Sequence, residues 1–151
     1  MTAILYSDKH KQIACDALTS EGKFALSQNT QKWKRLNDGS LIFSTGQTVD
    51  IHDLLTHLNG GELSPHINNV QFIRLYEGEV YYGDIHQRDD SKIVREEPLE
   101  FSHGIGTGGV LAMVALSCDK SPKEAIKIAS QHDLHTNDNV TVFCTKSGER
   151  I

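Results

Sequence analysis

The sequence predicts an α+β fold in which antiparallel sheets are covered by helices, and three observations predict it. Short extended runs come in pairs with turn-sized connections, as hairpins do. Helical spacing is confined to one stretch in the middle and two consecutive stretches near the end. No regular alternation of strand and helix, the mark of a parallel sheet, runs through the chain. With 151 residues the chain fits a single domain, 1–151.

The elements follow in order. Residues 2–6 read as a strand, Ser7-Asp8-Lys9-His10-Lys11 as a turn, and residues 12–15 as a returning strand that ends at Asp16. A second pair, 32–36 and 40–44, is joined through Asn37-Asp38-Gly39, where Asp-Gly favours a tight turn. From Thr48 the spacing changes: Val49, Ile51, Leu54, Leu55 and Leu58 follow a helical period, and Asn59-Gly60-Gly61 stops it. Residues 70–76 and 80–82 form a third hairpin around Glu77-Gly78-Glu79, while the charged run 87–97 reads as a surface loop or ragged edge.

Residues 110–116 are apolar on nearly every side, which predicts a helix set deep between a sheet and a neighbouring helix. Ser121-Pro122-Lys123-Glu124 supplies an N-cap serine, a first-turn proline and a glutamate three residues after the cap, so a helix runs from there to about Gln131. Residues 139–145 alternate Val140, Val142 and Cys144 as a closing strand.

Composition narrows the function classes. Hydrophobic residues are 38% and charged residues 23%, ordinary globular usage. No apolar run approaches the roughly 20 residues of a membrane span. The start lacks a basic region followed by an apolar one, so no export signal is expected. Cys15, Cys118 and Cys144 lie in apolar stretches without CxxC spacing and read as small buried thiols, which suits the reducing cytoplasm. A net charge of -5 with scattered cations leaves no footprint for nucleic acid.

Chemistry starts at Met1-Thr2. The small second residue permits methionine removal, which would leave a threonine carrying both hydroxyl and α-amine. Such an amine titrates near 7.7 to 8.0, so it can take the hydroxyl proton and make the threonine a self-contained nucleophile and base. Many chains begin Met-Thr without any such role, so the remaining residues decide.

Those residues are Ile13-Ala14-Cys15-Asp16, the segment from Asn29 through Trp33 to Leu36, Thr45-Gly46-Gln47-Thr48-Val49-Asp50, and Gly104-Ile105-Gly106-Thr107-Gly108-Gly109. Together they resemble the proteasome β-subunit and HslV family of N-terminal nucleophile (Ntn) hydrolases, over most of the chain. The resemblance implies a four-layer αββα sandwich of two antiparallel sheets flanked by helices. One short helix stands where the family usually has two long ones, so the first helical layer should be shortened, and residues 59–100 are poorly matched.

The resemblance also implies a threonine-type endopeptidase in which Thr2 attacks the substrate. Asp16 would hold Lys32 charged and oriented, Lys32 would disfavour protonation of the amine, and the Gly46 N–H would face the oxyanion. Seen singly, Asp16 could merely close a turn, Lys32 point to water, and Gly46 end a strand. Gln47 departs from the family's small residue. Thr107 replaces the serine of a Gly-Ser-Gly segment and keeps its hydroxyl. His132-Asp133-Leu134-His135-Thr136-Asn137 resembles a family segment that sets Asp133 and Thr136 beside the terminal threonine. In HslV-like proteins its backbone carbonyls can hold a structural sodium ion, at positions matching Ser130, Asp133 and Thr136. No other cofactor is implied.

Two alternative chemistries are weaker. Gly-x-Gly-x-Gly-Gly resembles a phosphate loop but lacks βαβ context and a following Lys-Ser or Lys-Thr. His132 and His135 could bind a transition metal, though histidines near a helix end more often cap or solvate. As partners the resemblance implies self-association into a ring or smaller homo-oligomer, an ATP-dependent unfoldase and peptide or protein substrates. Two other functions stay open: a catalytically silent assembly subunit, and a non-proteolytic Ntn amidohydrolase.

Overall fold

A computed structural model describes residues 2–151. Its first sheet takes β1 (Ile4–Ser7), β2 (Gln12–Cys15), β10 (His103–Ile105) and β11 (Thr141–Cys144) in the order β10-β1-β2-β11. The second sheet takes β5 (Trp33–Arg35), β6 (Leu41–Gly46), β7 (Val70–Tyr76), β8 (Glu79–Arg88) and β9 (Ser91–Pro98) in sequence order. All pairings are antiparallel. A separate hairpin pairs β3 (Thr19–Glu21) with β4 (Phe24–Ser27).

Strand periodicity explains the layering. Successive side chains point to opposite faces. Ile4, Tyr6, Ile13 and Cys15 of the first sheet therefore meet Leu41, Phe43, Ile73 and Leu75 of the second in a central core. The alternate residues Ala3, Leu5 and Ala14 turn outward and pack on α2 (Gly106–Leu116) and α3 (Pro122–Ser130). Ile42, Val70 and Phe72 turn outward from the second sheet and pack beside Leu54 of α1 (Thr48–Leu58). The result is the expected αββα stack, with one 11-residue helix forming the whole first helical layer.

The α3 start is built as its sequence foretold. Ser121 Oγ accepts the Glu124 N–H, and the Glu124 side chain accepts the Ser121 N–H, both at 3.2 Å.

Three expectations need correction. Residues 87–97 are not a loop: β9 pairs along β8 from Tyr81↔Pro98 to Arg88↔Ser91. Its charges sit on an edge strand, where they discourage pairing with another chain. Helix α2 begins at Gly106 and is not deep on every side; Val110 and Val114 are 63% and 66% exposed. It packs through the small residues Gly108, Gly109, Ala112 and Ala115, which let the backbone approach β1 closely and leave the branched side chains outside. Cys118 is exposed, since it follows the end of α2, whereas Cys15 is buried. Three short strands carry no pattern in the sequence: β3 and β10 have three residues each, and β4 is exposed throughout.

Candidate active site

Thr2 sits just ahead of β1, whose neighbours are β2 and β10, with Ile4 opposite both Cys15 and Ile105. That register brings Thr2 beside Asp16 on one side and Gly106 on the other. The Thr2 side chain is 2% exposed, and its Oγ1 donates to Asp16 Oδ1 at 2.6 Å. Asp16 is buried, and a buried carboxylate needs donors. It has four: the Thr2 hydroxyl and the Ala3 N–H (3.0 Å) on Oδ1, and the N–H groups of Leu18 and Asn137 (3.2 Å each) on Oδ2.

Lys32 is half-buried just before β5, and its ammonium donates to the Leu18 carbonyl. Burial pushes its pKa down, while the charge of Asp16 acts the other way. The Asp16 charge favours the charged lysine, although the two form no ion pair within 4.0 Å. The reason is occupancy: four donors already use both Asp16 oxygens. The link instead runs through Leu18, whose N–H is held by Asp16 and whose carbonyl holds Lys32.

Gly46 ends β6 opposite Val70. Its φ of 145° is a conformation only glycine adopts readily, and a Cβ there would sit 2.5 Å from the Asn69 carbonyl oxygen. Thr2, Lys32 and Gly46 all line one cleft of about 620 Å³. The hairpin residues Thr19, Ser20 and Leu26 form another wall, and Gln47, Thr48 and Ile51 of the α1 start continue the lining.

Thr107, Asp133 and Thr136 come together next door. Asp133 Oδ2 accepts from Thr107 Oγ1 at 2.8 Å and from Thr136 Oγ1 at 2.6 Å, and Oδ1 accepts the His135 N–H at 3.2 Å. Burial raises the Asp133 pKa, but these hydrogen bonds outweigh it and hold the carboxyl below its usual range. None of the three bonds the Thr2 hydroxyl, which points to Asp16. The cluster reaches Thr2 through the backbone: the Gly108 N–H donates to the Thr2 carbonyl at 3.1 Å, and a Cβ on Gly108 would strike Thr136 Oγ1. At Gly106, φ is 77° and a Cβ would run into the Thr2 carbonyl, so close approach requires glycine at both positions.

Ser130, Asp133 and Thr136 follow one another around the turn that ends α3, where the Thr136 N–H bonds the Asp133 carbonyl at 3.3 Å. His135 Nδ1 lies 2.9 Å from Ser20 Oγ, so that ring is engaged with the hairpin. Among the described residues, no three His, Cys, Asp or Glu side chains converge on a common point. No described helix is long and apolar enough to cross a membrane. Removal of Met1 lies outside the described residues.

Leu18 and Asn137 were missed. Both act on Asp16 through backbone N–H groups, which leave no trace in residue type. The segment that resembles the family's, 132–137, includes Asn137, but the resemblance gives a role only to Asp133 and Thr136.

No protein-family model and no curated protein matches this chain. Solved structures do. Eukaryotic HslV from Trypanosoma brucei superposes with a TM-score of 0.67 at 20% identity, covering 93% of this chain and 97% of that one. The BPH protein of Thiobacillus denitrificans in complex with epoxomicin gives a TM-score of 0.67 at 14% identity, covering 95% and 97%. BPH alone gives 0.64 at 14% identity, over 94% and 95%. The architecture is therefore the fold seen in HslV, and α1 alone makes its first helical layer.

Proposed function

We propose that this chain is an N-terminal threonine peptidase, with Thr2 as nucleophile once Met1 is removed. The observation that carries the reading is the buried Thr2 hydroxyl held 2.6 Å from Asp16 at a cleft that Lys32 and Gly46 also line. Its likeness in fold to a protein solved with epoxomicin supports the same reading.

In this reading Thr2 Oγ attacks the substrate amide carbonyl while the freed α-amine takes the hydroxyl proton. The hydroxyl donates to Asp16 Oδ1 at rest, so attack requires it to leave that bond and turn toward the amine. The Gly46 N–H steadies the developing oxyanion, and Lys32 keeps positive charge near it. The amine passes its proton to the leaving nitrogen, giving an ester on Thr2 and a free amine product. Water, deprotonated by the α-amine, then hydrolyses the ester. Thr107, Asp133 and Thr136 hold the backbone of Thr2 from the other side. A monovalent cation on the carbonyls of Ser130, Asp133 and Thr136 would stiffen the same turn.

Self-association belongs to the proposal. Val110, Leu111 and Val114 form an apolar stripe along the outer face of α2, a surface that suits contact with another copy. A ring that enclosed the cleft would need an ATP-dependent unfoldase to deliver folded protein substrates. Intact mass, a panel of fluorogenic peptides and light scattering test the reading together. Loss of Met1 with peptide cleavage supports it. A processed chain that cleaves no peptide but hydrolyses small acyl-amides replaces it with an amidase, and an unprocessed, inert chain with a silent assembly subunit.

A further inference from the structure

The β3–β4 hairpin forms one wall of the cleft yet pairs with neither main sheet. Its attachment is polar and comes from alternate residues of one segment. His135 Nδ1 lies 2.9 Å from Ser20 Oγ. Asn139 Nδ2 donates to the Gln28 carbonyl at 3.2 Å and to Asn29 Oδ1 at 2.9 Å. Between them, Asn137 Nδ2 donates to the Gln28 carbonyl at 3.0 Å and to Gln28 Oε1 at 3.2 Å.

Asn137 differs from its two neighbours because it also reaches the Thr2 partner. Its backbone N–H donates to Asp16 Oδ2 at 3.2 Å, and its Oδ1 accepts the Ala17 N–H at 3.0 Å. The Ala17 carbonyl in turn accepts the Thr30 N–H at 2.8 Å, on the far side of the hairpin. One amide side chain thus uses its acceptor on the strand exit that carries Asp16 and its donors on the hairpin base.

We infer that Asn137 is a positioning residue: its side chain clasps the cleft wall to the Ala17 backbone, next to Asp16, so that wall and nucleophile keep one geometry. This rests on the reading of Thr2 as nucleophile. Only a side chain with both donor and acceptor at this length completes the clasp. Displacement of a reacting group by about 1 Å costs on the order of 100-fold in rate. Freeing residues 16 and 17 acts on Thr2 through its 2.6 Å bond to Asp16, whereas freeing residues 28 and 29 alone acts on the wall.

The test compares Asn137→Ala with Asn139→Ala in the full processed chain, using a peptide epoxyketone as probe and amide hydrogen exchange as a second readout. For Asn137→Ala the maximal inactivation rate should fall about 10- to 100-fold, with faster exchange at Leu18 and Thr30. For Asn139→Ala the maximal rate should hold while the inhibitor concentration for half-maximal rate rises a few-fold. Asn137→Asp, which keeps the size and the Oδ1 acceptor but loses the donor to Gln28, serves if the alanine variant does not fold, and should also slow inactivation. A wild-type maximal rate in the Asn137 variant, or equal losses in both alanine variants, overturns the positioning role. A wild-type protein that forms no adduct contradicts the nucleophile reading instead. The exchange data then decide the clasp alone: unchanged protection overturns it, and faster exchange supports it.

Discussion

At the floor of the cleft, Thr2 is buried on Asp16 and both adjoin strands paired within the central layers, whereas one wall belongs to a hairpin paired only with itself, whose Phe24 and Leu26 are 76% and 62% exposed. The floor is held by backbone ladders and by one carboxylate with every acceptor site in use. The wall is held by the side chains of His135, Asn137 and Asn139. A site built this way fixes the reacting atoms through the fold itself and leaves the surface facing the substrate open to change.

The largest stability effect should come from the floor. Asp16→Asn keeps the shape but points an NH2 group at donors that need an acceptor, and should cost about 2 to 4 kcal/mol in chemical denaturation. A cost below about 0.5 kcal/mol would mean the carboxylate is not structurally committed. Gly46→Ala comes next, at about 2 kcal/mol or more, because φ is 145° and the new methyl meets the Asn69 carbonyl.

A smaller effect belongs to Asp133, held below its usual pKa by its donors despite burial. A carboxyl lowered in the folded state adds stability above its unfolded value and loses it as pH falls through the folded one. Acid denaturation of the wild type should therefore draw on Asp133 below its ordinary 3.8. Thr136→Val should flatten that part of the curve and cost about 1 kcal/mol at neutral pH. The smallest change should come from the wall: Phe24→Ser should stay within about 0.5 kcal/mol of wild type. A loss of several kcal/mol there would break the contrast between wall and floor.

The same contrast explains what could be read in the sequence. Ile4, Tyr6, Ile13 and Cys15 face one core and Leu5 and Ala14 another, so alternation marks β1 and β2 in the residue types. Ile51, Leu54, Leu55 and Leu58 mark α1 through burial, and Ser121 with Glu124 mark α3 through capping. Gly46, Gly106 and Gly108 are legible because close approach excludes a Cβ. The hairpin is not legible: Thr19–Glu21 and Phe24–Ser27 bury little, so no period is imposed on them. The roles of Leu18 and Asn137 at Asp16 run through backbone N–H groups that any residue but proline carries. In α2 the apolar run does not mark the buried face, because that face is made of glycine and alanine and the branched residues stay outside.

The central claim is that Thr2 is the nucleophile, and peptide mapping of the protein after reaction with a peptide epoxyketone tests it most directly. The account predicts loss of Met1, one inhibitor added per chain, the added mass confined to the peptide that begins at Thr2, and no adduct on Thr2→Ala with its fold intact. An adduct on any other residue, or the same adduct on Thr2→Ala, would contradict it.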